Sequence, residues 1–262
     1  MMKGFIKKLS VIGLLFISFH SLSQQPPLSV GWELWYPYQY HNSKQELTGL
    51  DLDIFNAIIK QTELSVTYTE LPWKRHLNYL KTGDMDLAMG ASYSQERAEY
   101  ADYSIPYRNE TVKLYVKNGK ANSIILNNLT DLIGSPYMIG VEGGYYYGKA
   151  YQELIKQNKF RTQINEVIDI EQNVQLLLKG HIDGFLVDPV TMKAFVNKYK
   201  LQGEFEQHSI TIYSDDIYIM VSKKIKDKTV LPKINKAIAH LIQNGKLDDI
   251  IKNWTKLQSN TN

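Results

Sequence analysis

The chain has 262 residues, of which 44% are hydrophobic and 22% are charged, so it can bury a sizeable core in one large or two small domains. It contains no cysteine, which excludes a disulfide framework, a thiol nucleophile and a lipid attached to an N-terminal cysteine. The formal net charge is +3, which falls to zero when the three lysines of the N-terminal leader are removed. This balance argues against nucleic acid or anionic lipid as a partner.

Residues 1–23 have the pattern of a secretory signal peptide. Three lysines precede a short apolar run, and Ser21 and Ser23 provide small residues before a cleavage site that we predict after Ser23. The run is too short for a membrane span, and no other stretch approaches the roughly 20 apolar residues that a span requires. We therefore expect an exported, soluble protein of a bacterial periplasm.

The chain after the leader alternates predicted strands and helices, which indicates a largely parallel sheet with helices on its faces. Asp51 and Asp53 stand in the first turn of a predicted helix, where we expect them to act as cap and dipole partners. The predicted elements are a strand Leu28 to Trp32, an aromatic loop Trp35 to Tyr40, a helix Asp51 to Ile59, a strand Ser65 to Thr69, a helix Lys74 to Lys81 closed by Gly83, and an apolar run Met85 to Met89.

The stretch Gly90 to Arg97 follows that apolar run and is interpreted as a small-residue loop at a strand end. It brings backbone N–H groups, the Ser92 hydroxyl and one guanidinium to a single place, and these groups suit a carboxylate because arginine meets two oxygens at once. The alternative is a surface turn, with Ser94 as a helix cap and Arg97 in solvent.

A second α/β unit follows a predicted strand Val112 to Val116 and a polar boundary at Lys117 to Lys120. Asp188 lies at the carboxyl end of one of its strands, where open α/β sheets place ligand groups. The elements are a strand Met138 to Val141, a helix Gly148 to Gln157, a helix Gln172 to Lys179 closed by Gly180, a strand Ile182 to Val187, a helix from Pro189, a strand Ile217 to Val221, a helix with Ile234, Ile238, Leu241 and Ile242 on one face, and a last helix before a frayed tail, Gln258 to Asn262.

Several groups of these two units could together bind a zwitterion. Asp188 could pair with an ammonium, cap the helix that Pro189 opens, or do both with its two oxygens. Gly143, Gly144 and Tyr145 could offer N–H groups to an anion or form a simple tight turn. The indole rings of Trp35 and Trp73 could cover the ligand, with core packing as the alternative for Trp73, and of Tyr145, Tyr146 and Tyr147 we expect at most one or two to point into a cleft.

Other chemistry has little support in the sequence. None of the six histidines has metal-ligand spacing, so we expect no metal site. The sequence has no nucleophile elbow, no P-loop and no dinucleotide fingerprint, so we expect no cofactor.

The order of short motifs along the chain resembles the extracellular solute-binding proteins of family 3, the polar amino acid-binding type of ABC import systems. The resemblance runs over nearly the whole mature chain. The matching pieces are Tyr36 to Tyr38 with Thr48 to Asp53, Gly90 to Arg97, Tyr103 to Tyr107, Gly140 to Gly144, Gly180 to Gly184 with Asp188, and Asn244 to Trp254.

This resemblance implies a two-lobed α/β fold with a ligand cleft between the lobes and two hinge strands. The implied first lobe comprises residues 24–116 and 214–262, and the second comprises residues 117–213. It places Arg97 on the ligand carboxylate, Asp188 on the ammonium, and Trp35 and Trp73 on or beside the stacking aromatics. Gly90, Ser92, Gly144 and Tyr145 are further contacts, although the three tyrosines replace a small Ser or Thr, so we assign no particular amino acid.

Three functions remain open at this stage. The preferred one is a monomeric periplasmic protein that captures a small zwitterionic or carboxylate ligand for a membrane permease of an ABC importer. The second is a dehydratase-like enzyme on the same scaffold, for which Glu142 is the nearest general acid, although a glutamate beside a glycine turn is usually solvated. The third is a ligand-responsive partner of a membrane sensor.

Overall fold

The computed structural model describes residues 26–259, so the signal peptide predicted at residues 1–23 lies outside the described residues. Within that range, no helix is both long and apolar enough to cross a membrane. The strands are β1 (Leu28–Trp32), β2 (Tyr40–His41), β3 (Leu47–Thr48), β4 (Val66–Glu70), β5 (Leu87–Ser92), β6 (Ala101–Tyr103), β7 (Arg108–Lys117), β8 (Ile139–Glu142), β9 (Ile164–Val167), β10 (Gly184–Val187) and β11 (Phe205–Ser222). The helices are α1 (Leu50–Ile59), α2 (Trp73–Thr82), α3 (Gln95–Ala98), α4 (Gly148–Leu154), α5 (Asn158–Arg161), α6 (Ile170–Lys179), α7 (Pro189–Tyr199), α8 (Val230–Gln243) and α9 (Lys246–Ser259).

The sheet has two parallel halves joined by two long antiparallel strands. Its order is β4-β1-β5-β11-β7-β10-β8-β9, and β6 adds a further pairing to β11. The pairs of β1 with β4 and β5 are parallel, as are the pairs of β8 with β9 and β10. The strands β7 and β11 pair with each other and connect the first half, here called the first lobe, to the second lobe. This is the predicted two-lobed α/β fold with two connecting strands.

Each lobe has its own apolar core. In the first lobe, Ile54, Phe55 and Ile58 of α1 pack with Ile234 and Ile238 of α8 and with the inward faces of β1 and β5. In the second lobe, one cluster surrounds the fully buried Phe160 and another surrounds Phe185. The residue limits predicted for the two lobes stay a prediction.

The ends of two helices follow from single glycines. Gly83 after α2 and Gly180 after α6 have φ angles of 89° and 74°, the left-handed conformation that glycine adopts without a Cβ penalty, as their positions predicted.

The structure corrects several sequence predictions. The strand β5 continues through Ser92, so Gly90 to Ser92 belong to a strand and not to a loop. Ile242, expected on the buried face of α8, is 51% exposed. The helix α9 continues to Ser259, where we expected a frayed tail, and residues 260–262 lie outside the described residues. The short elements β2, β3, β6, α5 and β9 had no prediction, because two to four residues carry too little periodicity.

A buried ion pair fixes the start of β7 to the start of α1. The Arg108 Nε and Nη2 atoms donate to the two carboxylate oxygens of Asp51 at 2.6 and 2.8 Å, and the two side chains are 4% and 0% exposed. The guanidinium also lies over the ring of Tyr38, with Cζ 4.2 Å from the ring centre. Asp51 is therefore a buried ion-pair partner as well as an acid in the first turn of α1, and it does not cap that helix, whose N-cap is Gly49.

Replacing Asp51 with Asn tests this ion pair. We expect Asp51→Asn to lower the free energy of unfolding by about 3–5 kcal/mol, because it leaves the buried Arg108 guanidinium without its counter-charge. Urea denaturation measures the change. The matched control is Asp53→Asn two residues later, an exposed position whose carboxylate accepts from Trp254 Nε1, where we expect about 0.5 kcal/mol or less. Equal effects of the two substitutions would contradict the anchoring role of the ion pair.

Candidate functional site

A small cavity of about 30 Å³ lies between the lobes, where β5, β8 and β10 end. Carboxyl strand ends are where open α/β sheets place ligand groups. Next to it is a groove of about 580 Å³, which shares Arg97, Glu142 and the three tyrosines that follow Gly144. The side chains and backbone that line the cavity come from Trp35, Trp73, Gly90, Ser92, Arg97, Glu110, Val112, Glu142, Tyr145, Tyr146, Tyr147, Leu186, Val187 and Asp188.

Arg97 is 6% exposed, so the alternative of an arginine in solvent is wrong. It lies in the one-turn helix α3, which Ser94 caps by accepting from the Arg97 N–H at 3.2 Å, as predicted for Ser94. The guanidinium donates to the carbonyl of Ser92 at 2.9 Å and to the carbonyl of Gly144, in the other lobe, at 2.8 Å. These bonds use two of its five N–H groups. No carboxylate among residues 26–259 forms an ion pair with it, and burial lowers the pKa of Arg97.

Trp73 adds an unpaired donor beside this guanidinium. Its Nε1 atom is buried and has no hydrogen-bond partner among the described residues. The Arg97 Cζ atom lies 5.6 Å from the centre of the Trp73 ring. Trp73 also packs with Leu80 and Met220, so both roles predicted for it, cavity lining and core packing, are present. Because buried donors are normally paired, the indole N–H and the guanidinium together fit an acceptor that enters the cavity.

Asp188 presents the opposite situation, an unpaired buried acceptor. Its Oδ1 atom caps α7 by accepting from the N–H groups of Val190 and Thr191 at 3.0 and 2.9 Å, and it also accepts from Tyr38 Oη at 3.1 Å. Its Oδ2 atom is buried and has no partner among the described residues. Burial raises the pKa of Asp188, while the bonds from Thr191 and the nearby Arg108 act in the opposite direction. The side chain is thus a helix cap through one oxygen and has the other free.

The two glycines predicted as ligand contacts have different roles in the structure. The Gly90 N–H donates to Tyr107 Oη at 2.8 Å and is not free. With a φ angle of 74°, Gly90 lets Trp35 approach so closely that an added Cβ would lie 2.9 Å from its ring. Gly144 contributes the carbonyl that Arg97 binds, and the N–H groups of its two neighbours bond to backbone carbonyls. The segment forms a tight turn in which two of the three N–H groups, those of Gly143 and Tyr145, already bond to backbone carbonyls.

Aromatic side chains from both lobes enclose the cavity. Trp35 donates from Nε1 to Thr191 Oγ1 at 3.1 Å, and its ring centre lies 6.1 Å from that of Tyr145. Tyr145, Tyr146 and Tyr147 all contribute atoms to the cavity lining. Tyr147 Oη accepts from a backbone N–H and its ring packs against Tyr151 in the core of the second lobe, while the ring of Tyr146 lies 5.9 Å from Arg97 Cζ. The turn therefore places three consecutive aromatic residues at the cleft.

Two acidic residues that the sequence analysis missed belong to the same region. Glu33 accepts from Tyr145 Oη at 2.5 Å and from the Trp73 N–H at 2.8 Å, and burial raises its pKa to about 7. Glu110 lines the cavity, and burial raises its pKa to about 8. A sequence signal for Glu110 existed, because strand periodicity places it on the same face of β7 as the buried Val112 and Leu114.

Glu142, expected to be solvated, instead lines the cavity at the end of β8. Burial raises its pKa well above the usual range of a glutamate, and of several acidic groups that raise it further Glu33 has the largest effect. The described part of the chain has no group of three or more histidines and carboxylates placed to hold a metal ion.

The lobes touch each other directly around the cavity. Besides the Arg97 and Tyr145 bonds, the inter-lobe contacts include Trp35 with Thr191 and Tyr38 with Asp188. An exposed ion pair also joins Lys74 Nζ and Glu166 Oε1 at 3.1 Å. The structure therefore describes a closed arrangement, in which side chains of the protein fill most of the space between the lobes.

Comparison with known proteins gives consistent results. A family model described as bacterial extracellular solute-binding proteins, family 3, matches residues 28–257. The L-cystine-binding protein TcyJ of Escherichia coli (strain K12) is 24% identical over 241 residues, which cover 90% of this chain and 85% of that protein.

Solved structures share the fold. An ancestral arginine-binding protein bound to arginine has a TM-score of 0.73 at 24% identity, covering 88% of this chain and 98% of that one. A histidine kinase sensor domain with similarity to periplasmic binding proteins has a TM-score of 0.74 at 18% identity, covering 87% and 95%.

The family model spans nearly all of the described residues, including both lobes and the cavity between them. The two-lobed topology agrees with it. The chain belongs to the bacterial extracellular solute-binding proteins, family 3.

Proposed function

We propose that this protein captures a small zwitterion, an amino acid or a close relative, between its lobes. The observation that supports this most is the pairing of unsatisfied groups in one cavity. Arg97 and Trp73 Nε1 offer donors without an acidic partner, while Asp188 Oδ2 offers a buried acceptor without a donor. An α-carboxylate and an α-ammonium on one small molecule would satisfy both sides, and burying such groups unpaired is costly.

The residues would act in three ways on such a ligand. The Arg97 guanidinium, aided by the Ser92 hydroxyl and the Trp73 N–H, would hold the carboxylate, and Asp188 would hold the ammonium. The rings of Trp35 and Tyr145 would cover the ligand and exclude water. Because the closed cavity measures only about 30 Å³, the ligand would enter with the lobes further apart and be enclosed as they close about β7 and β11.

We propose that the loaded protein acts in the periplasm as a monomer and delivers its ligand to the membrane permease of an ABC importer. Relatives support this only by their names, which include an L-cystine-binding protein and an arginine-binding protein of an ABC transporter. Pull-down with the permease or with a sensor kinase would separate the two partners.

One observation favours a second candidate, the dehydratase-like enzyme. Burial raises the pKa of Glu142 and so favours the protonated form that a general acid needs, and the group lines the cavity. Incubation of the purified protein with a cyclohexadienyl acid, followed by absorbance of the aromatic product, tests it. Turnover that disappears in Glu142→Gln would favour the enzyme, and inertness would remove it.

Replacing Arg97 with Lys tests the carboxylate site. The variant keeps the positive charge but loses the planar fork, so we expect amino-acid affinity to fall by about 30-fold or more, the low end of what truncating a buried charge partner costs. Isothermal titration calorimetry against an amino-acid panel measures it. The matched control is Arg75→Lys on the exposed face of α2, which should bind as the wild type does. Equal affinity in Arg97→Lys and Arg75→Lys would remove Arg97 from the site.

Replacing Asp188 with Asn separates its two roles. Asparagine caps helices about as well as aspartate, so we expect the free energy of unfolding to change by about 1 kcal/mol or less. The charge on Oδ2 is lost, so amino-acid affinity should fall by about 30-fold or more. The control is Asp169→Asn, which makes the same change at the N-cap of α6, outside the cavity lining. A loss of stability without a loss of affinity would show that Asp188 is only a cap.

A further inference from the structure

We propose that the ligand carries a second positive charge, as in an amino acid with a basic side chain, and that Glu110 and Glu142 receive this charge. This inference rests on the proposed function and narrows it to one ligand class. It starts from the charges that line the cavity, which are three carboxylates and one guanidinium.

A simple zwitterion leaves two of these carboxylates without a partner. Its carboxylate would take Arg97 and its ammonium would take Asp188, so Glu110 and Glu142 would remain. Neither forms an ion pair among residues 26–259. The nearby Arg108 forms no ion pair with either glutamate, because Asp51 already binds its guanidinium through both carboxylate oxygens.

The surroundings of both glutamates favour a cation from outside the protein. Around Glu110, burial raises the pKa most and Asp188 and Asp51 raise it further, while Arg108 and Arg97 lower it. Around Glu142, burial again raises the pKa most. The other groups that raise it are also acidic, namely Glu33, Asp169, Glu171 and Asp188. A ligand cation placed between the two carboxylates would reverse these shifts, since an opposite charge within a few ångströms favours the ionised form.

The space beside the cavity suits a ligand that extends beyond its zwitterionic core, the part that carries the α-carboxylate and the α-ammonium. The groove of about 580 Å³ meets the cavity at Arg97 and Glu142, so a side chain could extend from the core past Glu142. Tyr145, Tyr146 and Tyr147 line both spaces, and aromatic faces attract cations. Two lysines also line this groove: Lys74 is paired with Glu166, and Lys81 lies over the ring of Tyr100.

Calorimetry with matched ligand pairs tests the inference directly. L-arginine with L-citrulline, and L-lysine with L-norleucine, are close in length and differ in the side-chain charge. At pH 7 we expect each basic member to bind at least 30-fold more tightly than its neutral partner. Neutral members that bind as tightly, or more tightly, would overturn the inference while leaving the proposed function intact. Failure of all four to bind would overturn the inference, and failure of the whole amino-acid panel to bind would overturn the proposed function with it.

Two variants locate the second charge. In Glu110→Gln and Glu142→Gln we expect the preference for lysine over norleucine to shrink at least tenfold. The control Glu63→Gln removes one charge from an exposed position outside the cavity lining and should keep the wild-type preference. A thermal melt of each variant confirms folding. An unchanged preference in both folded variants would overturn the assignment.

Proton release provides an independent readout. Glu110, with a pKa of about 8, is mostly protonated at pH 7, and a bound cation lowers that pKa. Titrating lysine in two buffers of different ionisation enthalpy should therefore reveal release of protons by the wild type and a smaller release by Glu110→Gln. Equal release by both, or none by the wild type, would contradict a cation at Glu110.

Discussion

The site depends on a buried guanidinium that no acidic side chain neutralises. Arg97 receives one carbonyl from its own lobe and one from the other, and these two bonds leave most of its donors unused. A cation in such surroundings is costly unless it is paired and hydrogen-bonded. The cavity is therefore chemically incomplete by itself, and an anion that completes it also strengthens the contact between the lobes, because Gly144 and Arg97 belong to different lobes.

The negative charge of Asp188 is also held in the cavity by contacts within the protein. Asp188 is fixed by capping α7 through one oxygen, so its rotamer is set by the helix and not by a ligand. The second oxygen is then held in place without a partner, and a preorganised acceptor loses little conformational freedom when a ligand arrives. Helix capping and ligand binding are thus compatible in one carboxylate. The Asp51–Arg108 pair fixes β7 to α1 in a comparable way, so Arg108 acts on the cavity acids at a distance and forms no ion pair with them.

The sequence predicted features that depend on neighbouring residues better than features that depend on contacts between distant parts of the chain. The positions of Asp188 before Pro189, of Ser94 three residues before Arg97, and of Gly83 after α2 are local signals, and all three gave correct elements. The loop predicted from Gly90 is wrong. Gly90 lies within the strand β5, where the missing side chain lets the Trp35 ring approach the backbone closely.

The contacts of Glu33 and the three tyrosines could not be predicted in this way, whereas Glu110 had a local signal, its place on the same face of β7 as Val112 and Leu114. Such contacts arise between lobes, as between Glu33 and Tyr145, which lie 112 positions apart along the chain. The family resemblance supplied Arg97 and Asp188 as a pair, because their convergence depends on lobe closure. It carried no information on these acids, since a resemblance transfers only the positions that the family pattern contains.

The excess of acid links closure of the lobes to the charge of the ligand. Closing the empty cleft brings Glu110, Glu142 and Asp188 out of water, and each ionised carboxylate opposes this because burial disfavours the charged form. The direct hydrogen bonds between the lobes favour closure. The equilibrium between the open and closed forms therefore depends on the difference between this gain and the cost of burying the carboxylates. A ligand shifts such a balance only by binding the closed form more strongly than the open form. A cation does so here, because its attraction to the carboxylates is strongest where water is excluded.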